Sequence, residues 1–244
     1  MRQSLIILKR ELKSYSLTPA IYIYVAIFLA ASGVSCFYLG SLFERNIANL
    51  NPLFEFIPWL YLLLIPAIAT ATWTDERKSR SIEFLLTLPI NSFQAVMGKF
   101  LAAWTILGLS LLLTVPFAVT INYLGEPDNI ALCIGYLGCW LLAGAYLSMG
   151  CCLSALTHDH LTAFISTFII GFIFMVPNLL PVLQVQVSRL PEWLTGSFEA
   201  IGLIAHFDRF GKGVIDLRDL LYFFAMISAW LIATTVVIEL KKAE

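Results

Sequence analysis

A few short motifs in this sequence contain residue types that could bind a metal or act in catalysis. His158-Asp159-His160 sets two imidazoles beside a carboxylate, which are the ligand types of a zinc site. Side chains at i and i+2 of a helical turn point in different directions, however, and no third ligand is evident nearby. We therefore predict no metal site here, and we interpret the tripeptide as a short connection between apolar segments.

Gly108-Leu109-Ser110 has the outline of an intramembrane serine protease motif. A serine nucleophile needs a base within hydrogen-bond reach. All three histidines fall in connections between apolar segments, so none faces this serine from a neighbouring span: His158, His160 and His206. The sequence predicts no catalytic residue.

Nucleotide and redox chemistry are not predicted for this chain either. Gly98-Lys99 is the nearest approach to the phosphate-binding pattern GxxxxGK[ST], but Phe100 follows and no glycine stands five residues before Gly98. We predict that the chain itself binds no cofactor. The five cysteines lie inside apolar runs without a CxxC pair, and we interpret them as packing residues: Cys36, Cys133, Cys139, Cys151 and Cys152.

The composition is that of a membrane protein. Of 244 residues, 59% are hydrophobic and 13% are charged, whereas an ordinary soluble domain carries about 25% charge. The net charge of −1 gives no global basic surface, so nucleic acid is not an expected partner. Without internal repeats or low-complexity segments, residues 1–244 are predicted to form a single domain.

Apolar runs predict an all-α polytopic fold with six transmembrane helices. A crossing helix needs about 20 predominantly apolar residues. Pro58, Pro66, Pro116, Pro177 and Pro181 lie inside or beside these runs, so local bends are expected. The predicted spans lie near residues 20–40, 56–73, 97–121, 130–156, 162–183 and 219–238.

The distribution of Lys and Arg predicts the orientation. With the N-terminus in the cytoplasm, the inner segments hold ten of these residues and the outer segments five. Both termini are therefore expected to be cytoplasmic. A cleaved signal peptide is the competing interpretation of the first span, but its apolar run is too long.

Residues 1–18 are predicted to form an interfacial amphipathic helix on the inner leaflet of the lipid bilayer. Leu5, Leu8 and Leu12 share one helical face, and the basic side chains lie largely off it. Those cations would lie near anionic lipid: Arg2, Lys9 and Lys13.

The densest cluster of charge falls between the second and third spans, at residues 74–90. Thr74 or Asp75 can cap a helix that Pro89 ends. Asn91 then starts a new helix, with Gln94 three residues later in a capping-box arrangement. The pattern predicts a short helix, a sharp break, and a second helix that continues into the membrane.

This short helix combines charges of both signs with an apolar stripe. Charges at Glu76, Arg80 and Glu83 recur at helical spacing beside Leu85 and Leu86. Such a helix can dock in a groove on a cytosolic partner, with apolar residues inward and charges at the rim. The residues predicted to make this contact are Asp75, Glu76, Arg77, Arg80, Glu83, Phe84, Leu85 and Leu86, with a second candidate contact at His158, Asp159 and His160.

Several passages together resemble a known family. The order DERKxxSIEFLLTLPI, followed by VMGK, is similar to the loop between the second and third spans of ABC-2 type transporter permeases, and more specifically of short six-span permeases of the gliding-motility type. Two further passages match the same group, PDNIALCIGYLGCWLLAGAYLSMGCCLSALTHDH and HFDRFGKGVIDLRDLLYF, and N-terminal KREL followed by Tyr and Pro fits as well. The similarity covers nearly the whole chain.

The resemblance implies a dimeric transmembrane domain in a bacterial inner membrane. The second permease would be another copy or a homologous chain. Two cytosolic ABC ATPase subunits would bind ATP and Mg, and helix 75–88 would couple them to export or extraction of a substrate. A periplasmic or secreted accessory protein is a further candidate partner.

Residues 184–218 are too apolar for a free loop, and the resemblance implies re-entrant or interfacial helices that form an outer gate. A packed lid without a gating role is the alternative. The candidate gate residues are Phe198, Ile201, His206, Phe207 and Asp216.

Two other functions stay open beside an ABC permease: an ion-coupled secondary transporter and a non-transport membrane scaffold subunit. Secondary transporters usually carry ionisable residues at mid-membrane. The predicted spans contain essentially none, since Lys99 and Glu239 sit at inner ends where they can snorkel, and Glu55 lies near an outer edge. This pattern favours an externally energised permease. A lining of aromatic and hydroxyl residues would suit a lipidic, lipid-linked or amphiphilic cargo.

Overall fold

The computed structural model describes residues 2–39, 50–74, 91–125, 127–182 and 202–242. Throughout these ranges the secondary structure is helical, without a strand, which confirms the predicted fold class. In chain order the helices are α1 (Arg2–Leu17), α2 (Pro19–Val34, extended by a π-helical segment, Ser35–Leu39), α3 (Asn51–Ala71), α4 (Ser92–Leu112), α5 (Val115–Leu124), α6 (Asn129–Leu156), α7 (His160–Val182), α8 (Leu203–Gly211) and α9 (Leu217–Lys242).

Six helical stretches of the described chain are long and apolar enough to cross a membrane, as predicted. They are Pro19–Phe37, Asn51–Ala71, Ser92–Leu124, Asn129–Leu156, His160–Pro177 and Leu217–Lys241. The second begins at Asn51 rather than near residue 56, because Pro52 suits the first turn of a helix, where its missing N–H has no partner to lose. The protein is a multi-pass membrane protein.

The third span is interrupted between α4 and α5, next to Pro116. The Thr114 hydroxyl donates to the Leu111 carbonyl at 2.7 Å, and the Tyr136 hydroxyl lies 3.2 Å from the Thr114 carbonyl oxygen. These contacts satisfy polar groups released where the helix breaks. The predicted bend at Pro116 is therefore confirmed, whereas α3 continues without interruption through Pro58 and Pro66.

Helix α6 forms the centre of the bundle. Every residue from 141 to 155 is buried, and α3, α4, α7, α8 and α9 all pack against this helix. Two glycines permit close approaches: a Cβ at Gly150 would lie 2.3 Å from Cβ of Ala69, and one at Gly138 would lie 2.5 Å from Cβ of Phe210. Since each close contact is with a Cβ atom, α3 and α8 are held at distances from α6 that only glycine allows.

Helix α1 packs against α4. Among the α1 side chains that the structure describes, Ile7, Glu11 and Tyr15 are buried, while Leu8 and Leu12 are half-buried. The carboxylate of Glu11 lies 3.6 Å from the ammonium of the buried Lys99 of α4. Contact of α1 with lipid stays a prediction.

Candidate functional site

Polar and charged side chains gather in two groups at opposite ends of the bundle. The first, which we call the Lys99 end, comprises Glu11, Thr72, Trp73, Thr74, Lys99, Ser154 and His160. The second, the His206 end, comprises His206, Arg209, Asp216 and Asp219. Helix α9 connects the two levels, since Asp219 lies in its first turn and Lys241 reaches the last residues of α6 near Ser154.

Lys99 is the best-buried cation of the described chain, with 3% of its surface exposed. Its Nζ donates a hydrogen bond to the Thr72 carbonyl at 3.0 Å, lies 3.6 Å from Glu11 Oε1, and sits 5.2 Å from the centre of the Trp73 ring. Lys99, which the sequence placed at an inner end where it can snorkel, is thus surrounded by protein groups. The carbonyls at the end of α3 carry partial negative charge and Glu11 carries a full one, so the ammonium is better satisfied inside.

The end of α3 is also tied to α6. Trp73 is buried, and its backbone N–H donates to Ser154 Oγ at 3.3 Å. The Ser154 hydroxyl in turn donates to the Thr70 carbonyl at 3.0 Å. Ser154 thus accepts a hydrogen bond from one backbone N–H and donates one to a backbone carbonyl. Both backbone groups belong to the end of α3, where the helix itself offers no partner for its last carbonyls.

Thr74 connects α3 to the start of α7. Its hydroxyl donates to the Thr70 carbonyl, and its oxygen lies 2.7 Å from His160 Nδ1. A hydroxyl that donates to Thr70 can accept a hydrogen bond from a protonated Nδ1 of His160. His158 and Asp159 are exposed instead, so the three residues of this tripeptide do not converge. In the ranges that the structure covers, no three His, Cys, Asp or Glu side chains are grouped to hold a metal ion.

The predicted partner-binding residues lie in the segment 75–90, outside the described residues. The structure thus provides the two flanks of this segment, Thr72 to Thr74 before it and Asn91 after it. The predicted ATPase-contact residues that lie in this segment are Asp75, Glu76, Arg77, Arg80, Glu83, Phe84, Leu85 and Leu86.

The predicted helix start after Asn91 is confirmed, but its capping box is not formed. The N–H groups of Gln94 and Ala95 bond the Asn91 carbonyl, whereas the Asn91 side chain makes no cap bond. The Gln94 Oε1 is buried without a hydrogen-bond partner among the described residues. Because Gln94 turns this oxygen into the protein, it does not reach back to the N–H of Asn91.

At the His206 end, the buried charged group is the carboxylate of Asp219, whereas at the Lys99 end it is a lysine. Asp219 is 0% exposed, and its Oδ1 lies 2.6 Å from His206 Nδ1 and 2.9 Å from Arg209 Nη2. Its Oδ2 is buried and has no hydrogen-bond partner in the described part of the chain. The His206 ring stacks on Tyr222 with ring centres 4.0 Å apart. Helix α8 is thereby bound to the first turns of α9.

Asp216 forms the N-cap of α9. Its Oδ1 accepts from the Arg218 N–H at 3.0 Å, and its carbonyl accepts from the N–H groups of Asp219 and Leu220. Its other carboxylate oxygen lies 3.7 Å from Arg209 Nη1. Among the candidate gate residues, His206 and Asp216 therefore share one ion-pair cluster.

The remaining candidate gate residues fall in different places. Phe207 is buried, and with Phe210 it packs against Gly138 of α6. Phe198 and Ile201 lie outside the described residues. Phe207 thus anchors α8 to the core rather than joining the polar cluster.

Arg209 and Asp219 were not among the predicted site residues. The spacing did contain a signal for them. His206 and Arg209 are three residues apart and share one face of α8, and Asp216 and Asp219 have the same spacing at the start of α9. Two faces of opposite charge separated by a glycine turn favour pairing between the two helices.

Asp208, a second acidic residue near this cluster in the chain, has a raised pKa. Asp208 lies at the surface, but protein atoms partly desolvate its carboxyl and raise its pKa above the usual range. Lys212 lowers this pKa, and Glu55 of α3 raises it. The electrostatic influence of Glu55 indicates that the start of α3 lies near α8.

An apolar groove runs between α4–α5 and α6, with a volume of about 800 Å³. Trp140 lines it and stacks on Trp104 with ring centres 4.1 Å apart, while Trp104 Nε1 donates to the Trp140 carbonyl at 2.9 Å. Among the described residues that line this groove, Cys133 and Tyr136 are the only ones with an ionisable side chain. Its chemistry suits an apolar chain rather than a charged solute.

Comparison with known proteins identifies the family. The family described as ABC-2 family transporter protein matches residues 47–188, which is more than half of the chain and includes α3 to α7 with the charged segment between α3 and α4. A comparison with curated proteins found no match. The chain belongs to the ABC-2 transporter family and is a transmembrane permease.

Proposed function

We propose that this permease couples to separate cytosolic ATPase subunits through residues 75–88 and exports or extracts a substrate. The observation that carries the proposal is the anchoring of both flanks of that segment. Trp73 and Thr74 are buried before it, and Lys99 after it bonds back to Thr72. A charged segment mounted in this way can pass a displacement directly to the second and third spans.

The Lys99 end is assigned to the cytoplasm because the Lys and Arg residues concentrate in the segments that meet there. ATP and Mg would act in the partner subunits, because this sequence lacks a phosphate-binding loop. The exposed His158 and Asp159 lie beside His160, which contacts Thr74 next to the coupling segment. These residues are the second candidate contact with the ATPase.

The second half of the proposal concerns the opposite side of the membrane. Two copies, or this chain and a homologous permease, would enclose the pathway, and α8 would form part of its outer gate. The cluster of His206, Arg209, Asp216 and Asp219 holds α8 in the described position. Movement of α8 would require these ion pairs to separate.

The substrate class we favour is lipidic or amphiphilic, and the gliding-motility-type assignment remains a prediction. The apolar groove beside Trp140 supports this class, because apolar walls stabilise an acyl chain by excluding water from it. The groove lies along the third and fourth spans, where such a molecule could enter laterally from the bilayer. A periplasmic or secreted accessory protein would receive it outside.

The coupling proposal is tested by reversing two charges of the segment at once, Arg80→Glu with Glu83→Arg. This double variant keeps opposite charges at positions 80 and 83 and places a carboxylate three residues after Arg77, which offsets its new approach to Glu76, while the charge pattern presented to the partner is inverted. Expected results are loss of copurification with the cytosolic ABC ATPase subunits and loss of permease-stimulated ATP hydrolysis.

Arg218→Glu serves as the matched control, because Arg218 is exposed at the opposite end of the bundle. It should copurify and stimulate hydrolysis as the unaltered protein does. Unchanged copurification and unchanged stimulation in the double variant would refute the coupling proposal. Transport driven by an ion gradient without any ATPase would favour the secondary-transport alternative.

A further inference from the structure

We infer that Lys99 is a positioning residue that fastens both flanks of the coupling segment and helix α1 into a single moving body. The inference rests on the proposed function, since it concerns how a displacement of residues 75–90 is distributed. On this inference α1, although it is not one of the six spans, moves with α3 and α4 when the ATPase displaces the coupling segment.

The first step is the bond that closes the segment. Lys99 follows the segment in the chain and Thr72 precedes it, and the two residues are 27 positions apart. Their 3.0 Å hydrogen bond joins the first turns of α4 to the last residues of α3. Because both flanks are fixed to one another, the segment cannot move one of these spans without the other.

The second step brings in α1. Glu11 is buried and lies 3.6 Å from the Lys99 ammonium, while Arg10 pairs with the same carboxylate at 2.7 Å. Ile7 and Tyr15 bury the same face one turn to either side. Moving α1 away from α4 would separate two buried groups of opposite charge, so α1 is expected to follow α4.

Lys241 provides an internal comparison. Its Nζ donates to the carbonyls of Ala155 at 3.1 Å and Leu156 at 2.9 Å, which are the last residues of α6. The chemistry is the same, a lysine that satisfies the carbonyl end of a helix, but these two bonds join α9 to α6 rather than α4 to α3 and α1. Changing Lys241 should therefore affect stability without affecting coupling.

The test measures two quantities in the full permease–ATPase complex. The first is ATP hydrolysis stimulated by the permease. The second is the distance between spin labels at Ile6→Cys on α1 and Phe93→Cys on α4, in a Cys133→Ser background, without nucleotide and in a trapped ATP state. Both labelled positions are exposed. The unaltered Lys99 should give one narrow distance in both states.

Lys99→Met should broaden that distance distribution and reduce stimulation at least about fivefold, the lower end of typical coupling effects. Lys99→Arg keeps a cationic donor and should retain stimulation. Glu11→Gln keeps the lysine bond to Thr72 but weakens the attachment of α1, so the label distance should broaden while part of the stimulation remains. Lys241→Met should lower the melting temperature and leave both readouts unchanged.

The exchange of both charges, Glu11→Lys with Lys99→Glu, separates a simple ion pair from the three-way connection. It restores opposite charges but places a carboxylate against the Thr72 carbonyl, so we expect no recovery of stimulation. Recovery would overturn the inference. So would a narrow distance with full stimulation in folded Lys99→Met, or equal losses in Lys99→Met and Lys241→Met that merely follow melting temperature.

The outcomes distinguish this inference from the proposed function. If Arg80→Glu with Glu83→Arg abolishes stimulation while Lys99→Met does not, coupling through the segment stands and the Lys99 connection is wrong. If the double charge reversal has no effect, the proposed function itself is wrong. Should Lys99→Met fail to fold, the distance in Glu11→Gln decides whether α1 is held by this pair.

Discussion

The Lys99 end and the His206 end both bury a charge beside an opposite charge, but they connect different kinds of partners. Lys99 joins segments that are far apart in the chain, from Glu11 on α1 to Thr72 at the end of α3. At the His206 end, four residues between 206 and 219 bind one short helix to its immediate successor. One connection is long-range and the other is local.

This difference determines how far a disturbance should spread. When a long-range connection breaks, several helices can shift relative to one another, so the effect reaches beyond the site. When a local connection breaks, α8 can separate from α9 while the spans around α6 remain packed, because stability is distributed in partly independent units. The His206 end is thus suited to opening, and the Lys99 end is suited to transmission.

The largest expected effect comes from Asp219→Ala. This change removes the acceptor that His206 and Arg209 share, and each hydrogen bond to a charged group typically contributes about 1.5–3 kcal/mol. Amide hydrogen exchange should increase strongly in residues 203–211 and much less in residues 91–99.

Arg218→Gln, an exposed change in the same turn of α9, is the control and should alter exchange little. An equal increase at both ends in Asp219→Ala would show that the His206 cluster is not local, and the contrast between the two ends would fail.

A smaller effect is expected from adding one methyl group at either close approach to α6. Gly150→Ala meets Ala69 of α3 and Gly138→Ala meets Phe210 of α8. Overpacking of this kind costs about 1–3 kcal/mol, so both variants should melt at lower temperature. Only Gly150→Ala should also reduce permease-stimulated ATP hydrolysis, because it displaces the helix that leads into the coupling segment.

The two glycine variants serve as controls for one another, since each adds the same atom to the same helix. If Gly138→Ala reduced stimulation as much as Gly150→Ala at equal loss of melting temperature, coupling would depend on overall stability rather than on the position of α3.

Features that depend on local sequence were predictable. Six apolar runs gave six spans, Pro116 marked the break in the third, and Asn91 marked the start of α4. Each of these follows from residues within one or two turns of one another. The family resemblance, read from passages along the chain, agrees with the family match over residues 47–188.

The pairings between distant residues were not predictable in the same way. Lys99 was expected only to lie at an inner end where it can snorkel, because the sequence alone does not show that Glu11 and the end of α3 meet it inside. Arg209 and Asp219 were not among the predicted site residues, although they pair with one another. Such contacts depend on how helices pack, which helical periodicity does not specify.

The most direct measurement is site-specific photocrosslinking from residue 85, within the coupling segment, in intact membranes. A photoreactive amino acid at Leu85 should crosslink to a cytosolic ABC ATPase, whereas the same amino acid at Tyr123, which is 91% exposed near the His206 end, should not. Crosslinking of the ATPase from Leu85 alone is the predicted result. Absence of that product, or its formation from Tyr123 instead, would contradict coupling of this permease through residues 75–88.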